Sequence, residues 1–264
     1  MNERIKVIVF DLDGTLYQDF TVHKQYLHFM VEGTDKEPWE HALVDFTEEV
    51  LRGNRLKMNA FYRMDAVGAN EPKRYFKEVE RALLPVETAA PGEERIYLGD
   101  VWAVLTLIGY SLGLYDPDRC QTIYRRTRAA MEESGMTGNK RLGDAIRRAN
   151  ACCETILLSN SDEKTALNML DRLGFSGLFR TIGFSAGKPF GMVDKLKSCC
   201  PAGLENPGSI LAVGDHAYND LEPLRKIGCR TLWMNPYPGI HEPQYDLSLR
   251  TLDELADYIN SLCS

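Results

Sequence analysis

The sequence contains no concentrated basic tract, no apolar run of membrane-spanning length, no internal repeat and no C-x-x-C pair. Its formal net charge is −7, and phosphate backbones are bound through Lys and Arg, so a nucleic-acid polymer is not expected as a partner. A small phosphate ester stays open, because one bound cation reverses the local field. The nearest approach to a membrane span, LGDVWAVLTLIGYSLGL (98–114), is interrupted by Asp100 and three glycines, and no membrane association is expected. MNERIKVIVFD enters a strand pattern almost at once, leaving no apolar region of signal-peptide type. The seven cysteines include two adjacent pairs, Cys152-Cys153 and Cys199-Cys200. Without metal or redox spacing they are expected to be buried free thiols in a reducing cytoplasm. The histidines, His23, His28, His41, His216 and His241, likewise make no metal spacing with one another.

What is present is ordinary globular material. Hydrophobic residues make up 44% and charged residues 26% of 264 positions, enough for one large domain or two modest ones. Short apolar runs of strand type occur at VIVF (7–10), TILLS (155–159), SILAVGD (209–215) and CRTLWMN (229–235), with a weaker one at RTIGFS (180–185). Helical patterns alternate with them. SDEKTALNMLDRLG spaces Leu167, Leu170 and Leu173 for one face and ends on Gly174; DLEPLRKIG repeats this on a shorter scale. TLDELADYINSL opens with a Thr251-x-x-Glu254 capping box. This alternation predicts an α/β fold with a parallel sheet covered on both faces.

Residues 18–149 break the rhythm and read as helices, among them KRYFKEVERALL and DRCQTIYRRTRAAMEE. The first carries Tyr75, Phe76, Val79 and Leu83 on one side. The second sets Cys120, Ile123, Tyr124 and Met131 against an arginine cluster (Arg125, Arg126, Arg128) read as a solvated face. The expected organisation is an α/β core from 1–17 and 150–264, with a helical domain of 18–149 inserted after the first strand.

Polar groups follow successive strands: Asp11 and Asp13 after the first, Ser159 and Asn160 after TILL, Lys188 in SAGKPFG, and Asp215 and Asp220 in GDHAYND. In a parallel sheet the carboxyl ends of the strands share one edge, where open α/β sheets hold ligands. Singly, each has a structural role available: a helix cap for Ser159-Asn160, a surface lysine for Lys188, loop or capping residues for the aspartates. Together they form one constellation. Clustered carboxylates repel unless one protonates or a cation joins them. Asp11, Asp215 and Asp220 offer hard oxygen ligands, too few for a full cage, which suits Mg²⁺ with retained waters and a substrate phosphate. An EF-hand is excluded, since Gly14 stands at loop position 4 rather than 6 and Val22 replaces the closing Glu.

DLDGTLY, LLSN, the lysine of GKPF and GDHAYND resemble, in order, the four motifs of the haloacid dehalogenase (HAD) superfamily, in its phosphotransferase branch. The resemblance covers the core, about half of the chain. It implies a Rossmann-like sheet, a helical C1-type cap over the insertion, and hydrolysis of a small phosphorylated metabolite. It makes Asp11 the nucleophile that forms an aspartyl-phosphate and Asp13 the general acid–base. Lys188 offsets charge on the transferring phosphoryl group. Mg²⁺ is implied on Asp11, the Asp13 carbonyl, Asp215 and Asp220, with Ser159, Asn160 and Thr15 at the phosphoryl oxygens or the nucleophile loop. Asp13 argues against dehalogenation, which has no leaving oxygen to protonate. His216 stands where the fourth motif often has Ser, and reads as a solvated or helix-starting residue. A mutase or phosphotransferase would use the same core, and a non-catalytic phospho-acceptor or ligand sensor would also cluster Asp, Ser and Lys. The insertion leaves just after Asp13 and returns before Ser159, so a lid that admits metabolites and hinders macromolecules is expected.

Overall fold

The computed structural model describes residues 4–64, 67, 70–82, 95–133, 135–237 and 243–263. In chain order its elements are β1 (Val7–Phe10), α1 (Val22–Val31), α2 (Glu40–Leu51), β2 (Phe61–Arg63), α3 (Pro72–Ala82), β3 (Arg95–Tyr97), α4 (Val101–Ser111), α5 (Pro117–Glu133) and α6 (Lys140–Ala149). They continue with β4 (Glu154–Leu158), α7 (Glu163–Arg172), β5 (Thr181–Gly183), α8 (Met192–Cys199), β6 (Ile210–Gly214), α9 (Glu222–Lys226), β7 (Arg230–Met234), β8 (Leu247–Leu249) and α10 (Leu252–Ser261). The chain divides into two compact units. One comprises 1–18, 136–236 and 243–264; the other comprises 19–135 and 237–242.

The first unit is built on a six-stranded sheet of order β5-β4-β1-β6-β7-β8, in which every neighbouring pair runs parallel. All four residues of β1 are buried, as a central strand covered on both faces requires. Its register sets Phe10 opposite both Leu157 of β4 and Val213 of β6. The chain segments leaving these three strands therefore emerge side by side. Helices flank the sheet: α6 packs on α10 and β4, while α8 packs on β4, β5 and α9.

Three features depart from the pattern read in the sequence. Lys140–Ala149 was expected in the inserted domain, but its buried face (Leu142, Ala145, Ile146, Ala149) lies in the sheet unit. Helical periodicity identifies a buried face without saying what covers it. The strand β8 and the helix α8 carried no clear signal; β8 is a three-residue, half-buried edge. In α7 the buried residues are Ala166, Met169 and Leu170, with Leu173 buried just beyond the helix, and only Leu167 of the three leucines is exposed, because the buried stripe runs through Ala166 instead.

The cysteines also differ from expectation. Cys152 and Cys263 are joined in a disulfide, which adjacent-pair spacing gave no means of anticipating. Cys120, Cys153, Cys199, Cys200 and Cys229 are free.

The second unit is mainly helical, with α1 packed on α2, α4 and α5. It is not purely helical: β2 and β3 pair antiparallel, with Phe61 opposite Tyr97. The apolar run around 98–114 becomes α4, whose Val104, Leu105, Leu107 and Ile108 are buried in the core of this unit. Asp100 begins that helix as its N-cap, its Oδ1 accepting the Ala103 N–H at 2.7 Å. Tyr75 and Val79 of α3 are buried as their spacing requires, whereas Leu83 lies outside the described residues. Arg125 and Arg126 are exposed, and Arg126 pairs with Glu32 at 2.6 Å. Arg128 is buried rather than solvated, its guanidinium against the rings of Trp102 and Tyr124. Among the described residues, no helix is long and apolar enough to cross a membrane.

Caps at the helix starts show local sequence being used directly. Thr251 and Glu254 form the reciprocal capping box of α10. Asp162 caps α7, its Oδ1 accepting the Thr165 N–H at 3.0 Å, and these hydrogen bonds hold its carboxyl below the ordinary range. Asp162→Ala is expected to lower unfolding free energy by about 0.5–2 kcal/mol. Because the folded pKa is depressed, the difference from the parent should be full near neutral pH and shrink on acidification through the carboxylate range. Urea denaturation at both pH values measures it.

Candidate active site

All the polar residues picked out at the strand ends belong to the first unit. The loop after β1 is fastened by apolar residues that alternate with its carboxylates. Leu12 and Leu16 are fully buried, the Asp11 N–H continues the ladder to Val213 O at 2.9 Å, and the Leu16 N–H reaches Leu12 O at 3.0 Å. Gly14 turns this loop with φ +75°, and a Cβ there would lie 2.0 Å from Asp215 Oδ2. Glycine is thus required twice, by the left-handed backbone and by the approach of the Asp215 carboxylate. Gly214 is required by close approach alone, since an added methyl would lie 2.3 Å from Asp220 Cβ.

Lys188 binds two of the carboxylates at once. Its Nζ donates to Asp11 Oδ1 at 2.6 Å and to Asp220 Oδ1 at 2.9 Å, with only 2% of the side chain exposed. The surface-lysine alternative is thereby removed. Asn160 positions this lysine: its Oδ1 accepts the Lys188 N–H at 2.8 Å and its Nδ2 donates to Lys188 O at 3.4 Å. Asp220 is buried in a wide helical turn (Ala217–Leu221), and its Oδ2 accepts the His216 N–H at 3.0 Å. His216 itself starts that turn, its Nδ1 accepting from the Asn219 N–H at 3.2 Å. It is buried rather than solvated. Trp233 holds the Asp215 segment by donating Nε1–H to its carbonyl at 2.8 Å.

Ser159 is buried beside this set, its Oγ accepting the Ser161 N–H at 3.1 Å; the cap of the following helix is Asp162, so Ser159 is not that cap. Thr15 is fully buried, and its Oγ1 has no hydrogen-bond partner among the described residues. Its hydroxyl therefore does not tie the loop; backbone bonds and buried leucines do. Tyr17 lies outside the set of strand-end polar residues, yet its hydroxyl donates to Asp13 Oδ1. The signal was the four-residue separation within DLDGTLY, which only a tight loop converts into contact.

The electrostatics follow from this packing. Asp11, Asp215 and Asp220 each place a carboxylate oxygen within 4.8 Å of the others. Fully ionised, these three carboxylates exceed the one ammonium by two negative charges. Burial first, then the nearby Asp220 and Asp13, push the Asp11 carboxyl up to about 7 despite the opposing Lys188. The two carboxylates in turn raise the Lys188 pKa, against its burial, and keep it cationic. Hard oxygen donors gathered from Asp11, Asp215 and Asp220 and their excess of negative charge fit a small divalent cation of the Mg²⁺ type.

No family model and no curated protein matches the sequence. Solved structures do match in fold. YfnB of Bacillus subtilis, described as a HAD-hydrolase and bound to magnesium, superposes with a TM-score of 0.59 at 17% identity, covering 98% of this chain and 100% of that one. The chain has the HAD-like fold. A protein from Thermotoga maritima described as a beta-phosphoglucomutase gives 0.52 at 12% identity, over 97% and 99% of the two chains. The L-2-haloacid dehalogenase RSc1362 gives 0.53 at 16%, also over 97% and 99%. Identities this low carry the HAD-like architecture and leave the chemistry to the site itself.

The raised Asp11 pKa has a consequence for stability. The folded value, about 7, exceeds the ordinary 3.8, so between these values the folded state holds a proton that the unfolded state has lost. Without divalent ions, the Asp11 contribution to unfolding free energy should therefore fall as pH rises from about 4 to about 7 and then level off. Urea titrations in EDTA, compared with Asp11→Asn, read this contribution. A flat difference across that range is the contrary result.

Proposed function

We propose that the protein is a Mg²⁺-dependent phosphatase that hydrolyses a small phosphorylated metabolite through an aspartyl-phosphate on Asp11. The observation that supports this best is the pairing of two differently served carboxylates on one loop. Asp11 touches the Lys188 ammonium, and Asp13 is held by the Tyr17 hydroxyl. A nucleophile needs a neighbouring cation to approach an anionic phosphate, while an acid–base needs an oriented oxygen.

In the first half-reaction an Asp11 carboxylate oxygen attacks phosphorus, and the bond to the ester oxygen breaks. Asp13 gives its proton to that oxygen, so a neutral alcohol leaves. Asp13 then removes a proton from a water that attacks the phosphorus of the aspartyl-phosphate, releasing phosphate and restoring Asp11. The Lys188 ammonium offsets charge on the transferring oxygens. Ser159 Oγ and the Asn160 N–H serve as phosphoryl donors in this reading, and the buried Thr15 hydroxyl stays with the nucleophile loop. Mg²⁺, held by Asp11, Asp215 and Asp220 with the Asp13 carbonyl, supplies the neutralising charge when bound. Asp13 weighs against haloacid dehalogenation, since a departing halide takes no proton.

The two carboxylates should fail differently. Asp11→Asn is expected to abolish turnover, because an amide does not attack phosphorus. Asp13→Asn should lose roughly 10²–10⁴-fold on ordinary esters and much less on an activated ester whose leaving group departs unprotonated. Initial-rate assays on alkyl and nitrophenyl phosphates with Mg²⁺ check both. Equal losses on the two substrates would remove Asp13 from its role.

The net charge of −7 disfavours polyanionic substrates. Phosphate release from a broad metabolite panel should exceed release from phosphopeptides and 5′-phosphorylated oligonucleotides, and EDTA should stop it. Transfer of the phosphoryl group to an added sugar or alcohol, in preference to water, would replace hydrolysis with a phosphotransferase or mutase reaction.

A further inference from the structure

Three of the seven cysteines meet at the end of β4 opposite to the carboxylate site. Cys152 and Cys153 lie between α6 and β4, whereas Ser159 follows the other end of that strand. Cys263 follows α10, and the packing of α10 on α6 brings it beside Cys152 across 111 residues of sequence. The three Sγ atoms lie within 4.8 Å of one another. Cys152 and Cys263 are bonded, and Cys153 Sγ is 3.6 Å from Cys152 Sγ. Cys153 is buried and donates to the Ile5 carbonyl at 3.4 Å, whereas Cys152 and Cys263 are partly exposed and give solvent access. The proposed phosphatase chemistry uses none of them.

The donor set defines the ligand. Among the described residues no histidine or carboxylate joins the cluster. Structural Zn²⁺ sites take four ligands in a tetrahedron, and Mg²⁺ takes oxygen. Sulfur alone, in threefold supply, selects a soft cation that accepts low coordination, the Cu(I) class. Burial raises the Cys153 pKa, and the positive charge of Arg4 offsets this only in part, so the thiol gives up its proton as the S–Cu bond forms.

We propose that, once the Cys152–Cys263 bond is reduced, the Sγ atoms of Cys152, Cys153 and Cys263 bind one Cu(I) ion. A dithiol reductant supplies two electrons and two protons, the S–S bond breaks to two thiols, and the reductant becomes its own disulfide. Each thiol that ligates then releases its proton to solvent as the S–Cu bond forms, with copper remaining Cu(I).

The test uses the full chain, reduced with a dithiol, desalted without oxygen and titrated with Cu(I) against a chromophoric Cu(I) chelator. One equivalent should bind, with a thiolate-to-copper absorption band. Cys153→Ala and Cys263→Ser should each weaken it by about 10-fold or more, the loss that even second-shell changes produce. Cys229→Ala, at a buried thiol outside the cluster, should leave it intact, as should excess Mg²⁺. Deleting residues 263–264 removes the same ligand should Cys263→Ser fail to fold. The proposal is overturned by full affinity in the ligand variants or in the unreduced protein. Displacement by Mg²⁺, or tighter binding of Zn²⁺ to the same cysteines, overturns it as well.

Discussion

Lys188 between Asp11 and Asp220 is the contact on which the rest of the site depends. An ammonium and two carboxylates removed from water are each costly, and they persist only because each is the other's partner. Removing Lys188 would leave two buried carboxylates without their cation, whereas removing either aspartate would leave a single ion pair. The same triad ties three strand ends together: Asp11 follows β1, Asp220 lies beyond β6, and Lys188 lies beyond β5. The ion pairs thereby fasten the carboxyl edge of the sheet while leaving it net negative.

That residual charge links structure to the proposed chemistry. A fully neutralised cluster would have no use for a divalent ion, and an uncompensated one would repel a phosphate. One lysine among three neighbouring carboxylates sets an intermediate state, in which a cation is needed and an anionic ligand then becomes acceptable. The backbone contributes as much as the side chains. Without Gly14 and Gly214, methyl groups would occupy the space of the Asp215 and Asp220 carboxylates. Asn160 and Trp233 hold the Lys188 and Asp215 segments through main-chain contacts.

The two ends of β4 have separate chemistries. At one end hard oxygen donors gather around an ammonium; at the other, three sulfurs gather where α6 and α10 meet. The strand between them is buried from Thr155 to Leu158, so the sites are divided by packed apolar core. Donors of opposite softness do not compete for the same ion, and each end can therefore be probed independently.

The sequence by itself determined the α/β alternation, the central strand, the capping box at Thr251 and the identity of the carboxylate and lysine set. Each is written locally: apolar runs of strand length, turn residues, and polar groups placed just beyond a strand. Tertiary structure alone decided what depended on partners distant in sequence. Helix Lys140–Ala149 is amphipathic wherever it packs, and only its contacts with α10 and β4 assign it to the sheet unit. Arg128 resembles its solvated neighbours along the chain until Trp102 and Tyr124 cover it. Leu167 shares a leucine spacing with the buried Leu170 and Leu173 yet faces water. Tyr17 reaches Asp13 only through the fold of their loop, and Cys263 reaches Cys152 only through the packing of two helices. Periodicity states which face is buried; the identity of the covering surface is a property of the whole chain.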